Sequence, residues 1–335
     1  MKLRVLVVGG SGLLGGPATR ALVASGHEVT VLTRGTRAAP QGAVHQVADR
    51  SDPSALNRAL AGRRFDVALD LLAYDGRDVA RLFAAKFEAG RYLLVSSGQV
   101  YLVGAERRPP FREADAGLPL MPEPDESAPD HGNWHYGAGK RDAELAAFAL
   151  AAERGTRATV LRLPVVQGAG DTSRRLWAYL QRMLDGGPLL LPGGGDDPVR
   201  FLWAEDFARA VVAIAEGAKA TAPAYNLAQP DEPSLRELLN AAAEILGVRA
   251  RLIRCSWETL AQAGLDRSVS PFSGPWCSRP DPALARQDWG FEGSPTPRWL
   301  PEVVRGHLGE AHPEPHYGYA QREAERALAT RLAGA

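Results

Sequence analysis

A short apolar run that passes directly into a glycine-rich turn restricts the fold of this chain more than any other feature. The N-terminal sequence MKLRVLVVGGSGLLGGP places three spaced glycines after a predicted strand and at the start of a predicted helix. Glycines there let the backbone turn tightly and approach a pyrophosphate, while the helix N-terminus presents N–H donors. Because the glycines stand between a predicted strand and a predicted helix, the pattern indicates a dinucleotide-binding unit and not a plain strand-to-helix turn. The residues expected to contact the dinucleotide are Gly9, Ser11, Gly12, Leu13 and Gly15.

The first half of the chain alternates apolar runs with helical patterns. The runs LRVLVVGG, EVTVLTR, FDVALDLLA and RYLLVSSG are typical of strands, and residues 17–25 and 53–61 of helices. Nearly continuous Val and Leu runs separated by helices predict an α/β fold, a doubly wound parallel sheet (Rossmann) with a smaller C-terminal substrate-binding lobe. The predicted boundaries are 1–167 plus 201–227 for the NAD(P)-binding domain, 168–200 plus 228–312 for the lobe, and 313–335 for a helical tail.

Composition limits the classes of partner. Lys plus Arg and Asp plus Glu both total 39, so no basic excess points to nucleic acid or an anionic membrane. A small-molecule substrate is therefore expected, and a homodimer stays open. No apolar run reaches the roughly 20 residues of a membrane span, and no signal peptide is evident, which predicts a cytoplasmic protein. Cys255 and Cys277 are the only cysteines, so we predict neither a zinc cluster nor any other metal site.

The end of the second strand indicates which cofactor is preferred. NAD-binding folds usually carry an acidic residue there, which accepts hydrogen bonds from the adenosine ribose. Counting 18 residues on from Gly15 gives Thr33, followed by Arg34, and the acid is missing. A guanidinium can bind a 2′-phosphate with two hydrogen bonds, so the sequence favours NADP(H) over NAD(H). The alternative is an ordinary surface arginine.

Tyr136 and Lys140, in NWHYGAGKRDAE, are four residues apart and would share one face of a helix. The chain has 8 tyrosines and only 4 lysines. Random placement would give about 0.1 such pairs. Hydride transfer to or from a carbonyl requires a group that exchanges the hydroxyl proton, and a nearby ammonium lowers the pKa of a tyrosine. The alternative is a surface pair on an amphipathic helix.

Two further segments accompany this pair. The run LLVSSGQVY places Ser97 at the carboxyl end of a predicted strand, where open α/β sheets bind their ligands. The segment GAERRPPFREADAGLPLMPEPDESAPDHGN, residues 104–133, lacks periodicity and is interpreted as a loop of about thirty residues. Because it lies between Ser97 and Tyr136, we favour an active-site lid over a linker between domains.

Taken together, GGSGLLG, SSGQVY, YGAGK, LRLPVVQG and FLWAEDFARAV resemble the extended short-chain dehydrogenase/reductase superfamily (the NAD-dependent epimerase/dehydratase family), over residues 5 to about 212. The resemblance implies that Ser97 is the catalytic serine and Tyr136 the general acid/base. Lys140 would hold the nicotinamide ribose and lower the tyrosine pKa.

The same resemblance implies several binding residues. Asp49 would contact adenine, with a loop-capping aspartate as the alternative, and Pro164 would lie near the nicotinamide ring. Arg200 matches a family position that often binds a phosphate or carboxylate of the substrate. The alternative interpretation of Arg200 is a surface strand arginine. Gln99 is the other residue that we expect to contact substrate.

Departures from the family pattern narrow the chemistry. The superfamily's 4,6-dehydratases follow the catalytic hydroxyl residue with Asp-Glu, whereas Gly98 and Gln99 stand here, which argues against dehydration. The segment RLPVVQG also lacks the asparagine with which many nucleotide-sugar enzymes meet a diphosphate. An NAD(P)-dependent epimerase or ketoreductase acting on a hydroxyl or keto carbon of a sugar-like or other polar small molecule is the leading hypothesis.

The sequence leaves two non-enzymatic functions open. The second half of the chain resembles an atypical group of this superfamily. That group also resembles chloroplast stem-loop RNA-binding proteins, which would make the chain a binding protein. A non-catalytic dinucleotide sensor is the other reading. Neutral net charge and the presence of the serine, tyrosine and lysine together favour the enzyme.

Overall fold

The computed structural model describes residues 1–309 and 315–333, which fall into two compact units. The first comprises Met1–Val166, Leu202–Ala228 and Ser278–Gly293; the second comprises Gln167–Phe201, Gln229–Cys277 and Ser294–Ala335. Residues 310–314 and 334–335, which include parts of the predicted lobe and tail, lie outside the described residues. No helix in the described ranges combines the length and apolar character that crossing a membrane requires.

The two units differ from the predicted boundaries chiefly at residues 278–293, which belong to the first unit and not to the lobe. The backbone of Phe111 exchanges hydrogen bonds with Arg279 and Asp281, and the Tyr225 hydroxyl donates to Asp288 at 2.7 Å. These contacts come from residues distant in sequence, so the local pattern gave no sign of them.

A seven-stranded parallel sheet forms the centre of the first unit and confirms the doubly wound fold. Its strands are β1 (Arg4–Val8), β2 (Glu28–Thr33), β3 (Val44–Val47), β4 (Arg64–Asp70), β5 (Glu88–Ser97), β6 (Arg157–Leu163) and, after three short strands outside this sheet, β10 (Ala224–Asn226). The order across the sheet is β10-β6-β5-β4-β1-β2-β3. The order reverses at β1 and β4, and ligands of such sheets bind at this switch point.

Helices cover both faces of the sheet. They are α1 (Gly15–Ala24), α2 (Pro53–Leu60), α3 (Gly76–Ala84), α4 (Gln99–Leu102), α5 (His131–Glu153), α7 (Ala204–Ala215) and α10 (Ala283–Trp289). Alternate residues of β1 point to opposite faces of the sheet. Val5 and Val7 pack in the core that includes α1 and α7. Leu6 and Val8 pack in the core that includes α2, α3 and α5.

The sequence pattern missed β3 and α3. The strand VHQV is half exposed and has no apolar run, because it lies at the sheet edge. The signal for the start of α3 was Asp75 at its N-cap, whose carboxylate accepts a hydrogen bond from Asp78 N.

The second unit is mainly helical. Its elements are α6 (Arg175–Leu184), β8 (Leu189–Pro192), α8 (Leu235–Leu246), β11 (Leu252–Cys255), α9 (Trp257–Gln262), α11 (Thr296–Gly309) and α12 (Arg322–Ala333). Strands β8 and β11 pair in parallel. The short strands β7 (Val165–Gln167) and β9 (Phe201–Trp203) flank the places where the chain passes between units. Arg182 and Glu325 form a fully buried ion pair at 2.5 Å, which ties α12 to α6.

Candidate active site

The turn between β1 and α1 is shaped to receive a phosphate-bearing ligand. Gly9 has a φ of +93°, a conformation that side chains rarely adopt. A Cβ on Gly15 would lie 2.1 Å from the carbonyl oxygen of Gly9, so the helix starts directly against the turn. A Cβ on Gly12, by contrast, would meet nothing within 4 Å. The turn is therefore closely packed against its own backbone and open at Gly12.

Unsatisfied donors lie in the same turn. The Ser11 hydroxyl oxygen is buried and has no hydrogen-bond partner among the described residues. Leu14, at the N-cap of α1, supplies no side-chain hydrogen bond to the helix terminus, and Leu13 is half-buried beside it. A buried hydroxyl without a partner is costly, and a bound phosphate oxygen would satisfy it. These residues fit the pyrophosphate of a dinucleotide.

The residues beyond β2 and β3 are exposed. Arg34 is exposed, and its neighbour Thr33 bonds through its hydroxyl to His45 Nε2 at 2.7 Å. Asp49 accepts hydrogen bonds from the amide and the hydroxyl of Ser51, which lower the pKa of its carboxyl, with a smaller contribution from Arg34. The structure thus gives Asp49 a loop-capping contact, while its predicted contact with adenine stays a prediction.

Helix α5 begins at His131 and carries Tyr136 and Lys140 on one face, as predicted. Lys140 is buried, and its Nζ donates to the carbonyl oxygens of Ala73 at 2.7 Å and Val95 at 3.1 Å. Nζ lies 5.8 Å from the centre of the Tyr136 ring. Burial lowers the pKa of this amine to about 8. The lysine is thus a desolvated cation close to the tyrosine.

Two glycines in YGAGK explain how α5 comes so close to the sheet edge. A Cβ on Gly137 would lie 2.7 Å from the carbonyl oxygen of Gln99, and one on Gly139 would lie 2.7 Å from that of Tyr74. Glycine inside a helix usually costs about 1 kcal/mol relative to alanine. Here it allows direct contact with the backbone that follows β4 and β5, which places Tyr136 and Lys140 at the ends of these strands.

Ser97 ends β5 in the same region. Its hydroxyl oxygen accepts from Gln99 N at 3.2 Å, and Gly98 N donates to Leu163 O at 2.7 Å. Leu163 immediately precedes Pro164, which is buried. Since Lys140 bonds Val95, two residues before Ser97, the structure brings the predicted serine, tyrosine, lysine and proline segments to one edge of the sheet.

Arg200 belongs to the second unit, where it is buried and its Nε is 3.4 Å from Glu232 Oε1. It is therefore a buried ion-pair member and not an exposed strand arginine. Gln99, the other predicted substrate contact, begins α4 in the first unit.

The comparisons with known proteins agree with this geometry. Residues 5–228 match the model of the NAD dependent epimerase/dehydratase family. The chain belongs to that family. It is 30% identical over 251 residues to 2'-dehydrokanamycin reductase of Streptomyces kanamyceticus, covering 73% of this chain and 67% of the relative. It is 32% identical over 232 residues to a 3-diazoavenalumate denitrifying reductase of Streptomyces sp, covering 64% of this chain and 72% of the relative.

Solved structures of other proteins show the same fold. The UDP-glucose 4-epimerase of Thermotoga maritima superposes with a TM-score of 0.71 at 18% identity, covering 91% of this chain and 98% of that one. This chain is an enzyme of the NAD dependent epimerase/dehydratase family.

Gly98 shows how this family member departs from the dehydratase pattern. A Cβ at this position would lie 2.0 Å from the Ser278 hydroxyl oxygen and 2.6 Å from its Cβ. Ser278 is buried, so the space that an aspartate would need after Ser97 is filled. An aspartate at this position would therefore require Ser278 to move.

The sequence predictions missed a buried ion pair next to the helix face that carries Tyr136 and Lys140. Glu144, one turn beyond Lys140, accepts from Arg162 Nη2 at 2.6 Å and from the Ser96 hydroxyl at 2.5 Å. Burial opposes the charge of Arg162, but its bonds with Glu144 raise the pKa of the guanidinium above its ordinary value. The i, i+4, i+8 spacing of Tyr136, Lys140 and Glu144 was visible in the sequence and was not used.

Tyr101 extends this network. Its hydroxyl accepts from Arg162 Nη1 at 3.1 Å and donates to Asn226 Oδ1 at 2.7 Å. Burial raises the pKa of Tyr101 above its ordinary value, so this hydroxyl stays protonated and structural.

A second missed network lies under the lysine. Asp70, at the end of β4, is fully buried and accepts from Arg50 at 2.9 Å, the Tyr92 hydroxyl at 2.9 Å and Leu72 N at 2.9 Å. Burial opposes its ionisation, but the charge of Arg50 and the hydrogen bonds from Arg50, Leu72 and Tyr92 together lower the pKa of Asp70. Because Leu72 precedes Ala73, this carboxylate positions the carbonyl that holds Lys140.

The segment after Ser97 is more ordered than predicted. The loop spans 104–130 and contains a 3₁₀ helix, Glu113–Gly117, because residues 131–133 belong to α5. Its first part is held by backbone bonds from Met121 N to Val103 O and from Ala105 N to Pro119 O. We call this segment the 104–130 loop.

Proposed function

We propose that this family member is an NADP(H)-dependent reductase that interconverts a carbonyl and a hydroxyl on a polar small molecule. The observation that carries the proposal is the buried Lys140 ammonium, 5.8 Å from the Tyr136 ring, at the strand edge that also bears Ser97. The names of the two curated relatives, both reductases, support reduction over epimerisation.

Each residue has a distinct role in this proposal. Tyr136 donates the proton to the substrate oxygen during reduction and takes it back in the reverse direction. The Lys140 charge favours the phenolate and so brings the acidity of Tyr136 closer to neutral pH. The Ser97 hydroxyl oxygen accepts from Gln99 N, which leaves its hydrogen to orient the substrate oxygen. The bound cofactor supplies the hydride.

The choice of NADP(H) rests on Arg34. It is exposed at the end of β2, where an acid that would repel a 2′-phosphate is missing. The Asp49 carboxylate accepts two hydrogen bonds from Ser51, and its predicted adenine contact remains part of the proposal.

A polar small molecule is the proposed partner, in preference to nucleic acid or a membrane, because the net charge of the chain is +0 and phosphate-backbone binding requires an excess of clustered cations. A homodimer is compatible with the mechanism, since the proposed catalytic residues all come from one chain. Arg200 forms an ion pair with Glu232. It is the proposed contact for a carboxylate or phosphate of the substrate.

The test uses purified full-length protein, NADPH and a panel of keto sugars and other polar ketones. Stoichiometric oxidation of NADPH is expected, with loss of at least about a hundredfold in Tyr136→Phe. The control is Tyr317→Phe, whose residue is 75% exposed. NADPH binding measured by fluorescence should survive in both variants. Full activity in Tyr136→Phe would overturn the assignment, and nicotinamide retained through gel filtration without net turnover would indicate an epimerase instead.

A further inference from the structure

Three potential metal ligands converge at the start of α5. His131 and His135 lie four residues apart on this helix, and Glu123 comes from the 104–130 loop. One ligand atom from each of the three side chains lies within 4.8 Å of the other two. Histidines at i and i+4 on a helix are a recurrent way to hold a divalent metal.

Hydrogen bonds already orient these side chains. His131 Nδ1 is 3.1 Å from the carbonyl oxygen of Pro124, which can only accept, so Nδ1 carries the hydrogen and Nε2 keeps a lone pair. Metal-bound histidines are typically oriented through the other ring nitrogen in this way. His135 Nε2 lies 2.8 Å from Glu123 Oε1, a distance that one shared proton spans.

We propose that His131, His135 and Glu123 form a site for a divalent transition metal of the zinc class. Two imidazole nitrogens and a carboxylate oxygen are a donor set that Zn²⁺ binds, at about 2.0–2.2 Å. The metal takes the place of the proton between His135 and Glu123. The His135 and Glu123 side chains are 51% and 49% exposed, so a fourth position is open to water or another small ligand.

The site would connect two functional parts of the chain. His135 immediately precedes Tyr136, and Glu123 belongs to the 104–130 loop. One hydrogen bond, from Trp134 Nε1 to Met121 O at 3.3 Å, already links the same segments. Bound metal would add a stronger link and so restrain the loop against the helix that carries Tyr136. This inference concerns binding and does not depend on which reaction the enzyme catalyses.

The experiment titrates ZnCl₂ into untagged, chelator-treated full-length protein by calorimetry. One equivalent is expected to bind, to raise the melting temperature and to slow hydrogen exchange of peptides covering 120–131. His131→Gln and His135→Gln should each weaken binding by about tenfold or more. Glu126→Gln, an exposed glutamate in the same loop, is the control and should bind as the wild type does.

Two outcomes would overturn the proposal. One is the absence of stoichiometric zinc binding by the wild type, which would make the three contacts merely a loop-to-helix cap. The other is unchanged affinity in both histidine variants, which would place the metal elsewhere. Circular dichroism of each variant shows that any loss comes from a folded protein.

Discussion

The Lys140 amine lies 2.7 Å from the carbonyl oxygen of Ala73 and 3.1 Å from that of Val95. These acceptors follow β4 and belong to β5, so the backbone of two neighbouring strands holds the cation beside Tyr136. Carbonyl dipoles compensate the charge only in part, because burial still lowers the pKa of Lys140 to about 8. The amine therefore loses its charge within the range in which such an enzyme is assayed.

Cofactor affinity should depend on this ionisation. Below pH about 8 Lys140 is an ammonium that can hold the nicotinamide ribose, and above it the charge is lost, so the NADPH dissociation constant should rise as the pH increases. We expect Lys140→Met to bind about tenfold more weakly at pH 7, with no such pH dependence. Fluorescence titration from pH 7 to 9.5 measures this, in a Tyr136→Phe background that removes phenol titration. An equal pH dependence with and without Lys140 would contradict the assignment.

Gly139 should be intolerant of even one methyl group. In Gly139→Ala the new Cβ meets the Tyr74 carbonyl oxygen at 2.7 Å, so α5 must move away from the sheet edge. We expect a loss of about 1–3 kcal/mol in the free energy of unfolding and a lower kcat, measured by urea unfolding and NADPH turnover. Gly132→Ala is the matched control, because its Cβ would meet nothing within 4 Å on the same helix. It should be neutral or stabilising by up to about 1 kcal/mol.

Local patterns in the sequence were sufficient for the buried strands of the central sheet and for the family. Buried parallel strands are nearly continuous apolar runs, so β1, β2, β4 and β5 could be predicted from residues a few positions apart. The Tyr136–Lys140 pair was recognisable because a helix fixes the face that residues four apart share. That these two act in catalysis remains a prediction.

The rest depended on contacts between distant residues. Glu144 of helix α5 is paired with Arg162 of strand β6, and Gly98 meets Ser278, which is 180 residues away. The histidine and glutamate cluster also requires the path of the 104–130 loop. No local periodicity encodes such contacts, which is why these features, unlike the strands, were absent from the sequence predictions.

Arg34 should determine the choice between the two cofactors. In Arg34→Ala the planar partner for a 2′-phosphate is lost, so the NADPH dissociation constant should rise by about tenfold or more while that for NADH changes little. Arg64→Ala is the control, because Arg64 begins β4 at the amino edge of the sheet with a side chain 69% exposed. Parallel losses for NADPH and NADH, or no loss for NADPH, would show that Arg34 does not read the phosphate.

The contact between Gly98 and Ser278 can be tested as a pair. Gly98→Ala places a Cβ 2.0 Å from the Ser278 hydroxyl oxygen, and this overpacking should cost about 1–3 kcal/mol in the free energy of unfolding. Ser278→Gly removes both atoms that the new methyl group meets. The double variant should therefore lose less stability than the sum of the single variants, with a coupling of about 1 kcal/mol or more by urea unfolding. Strict additivity would mean that something other than Ser278 requires a glycine beside Ser97.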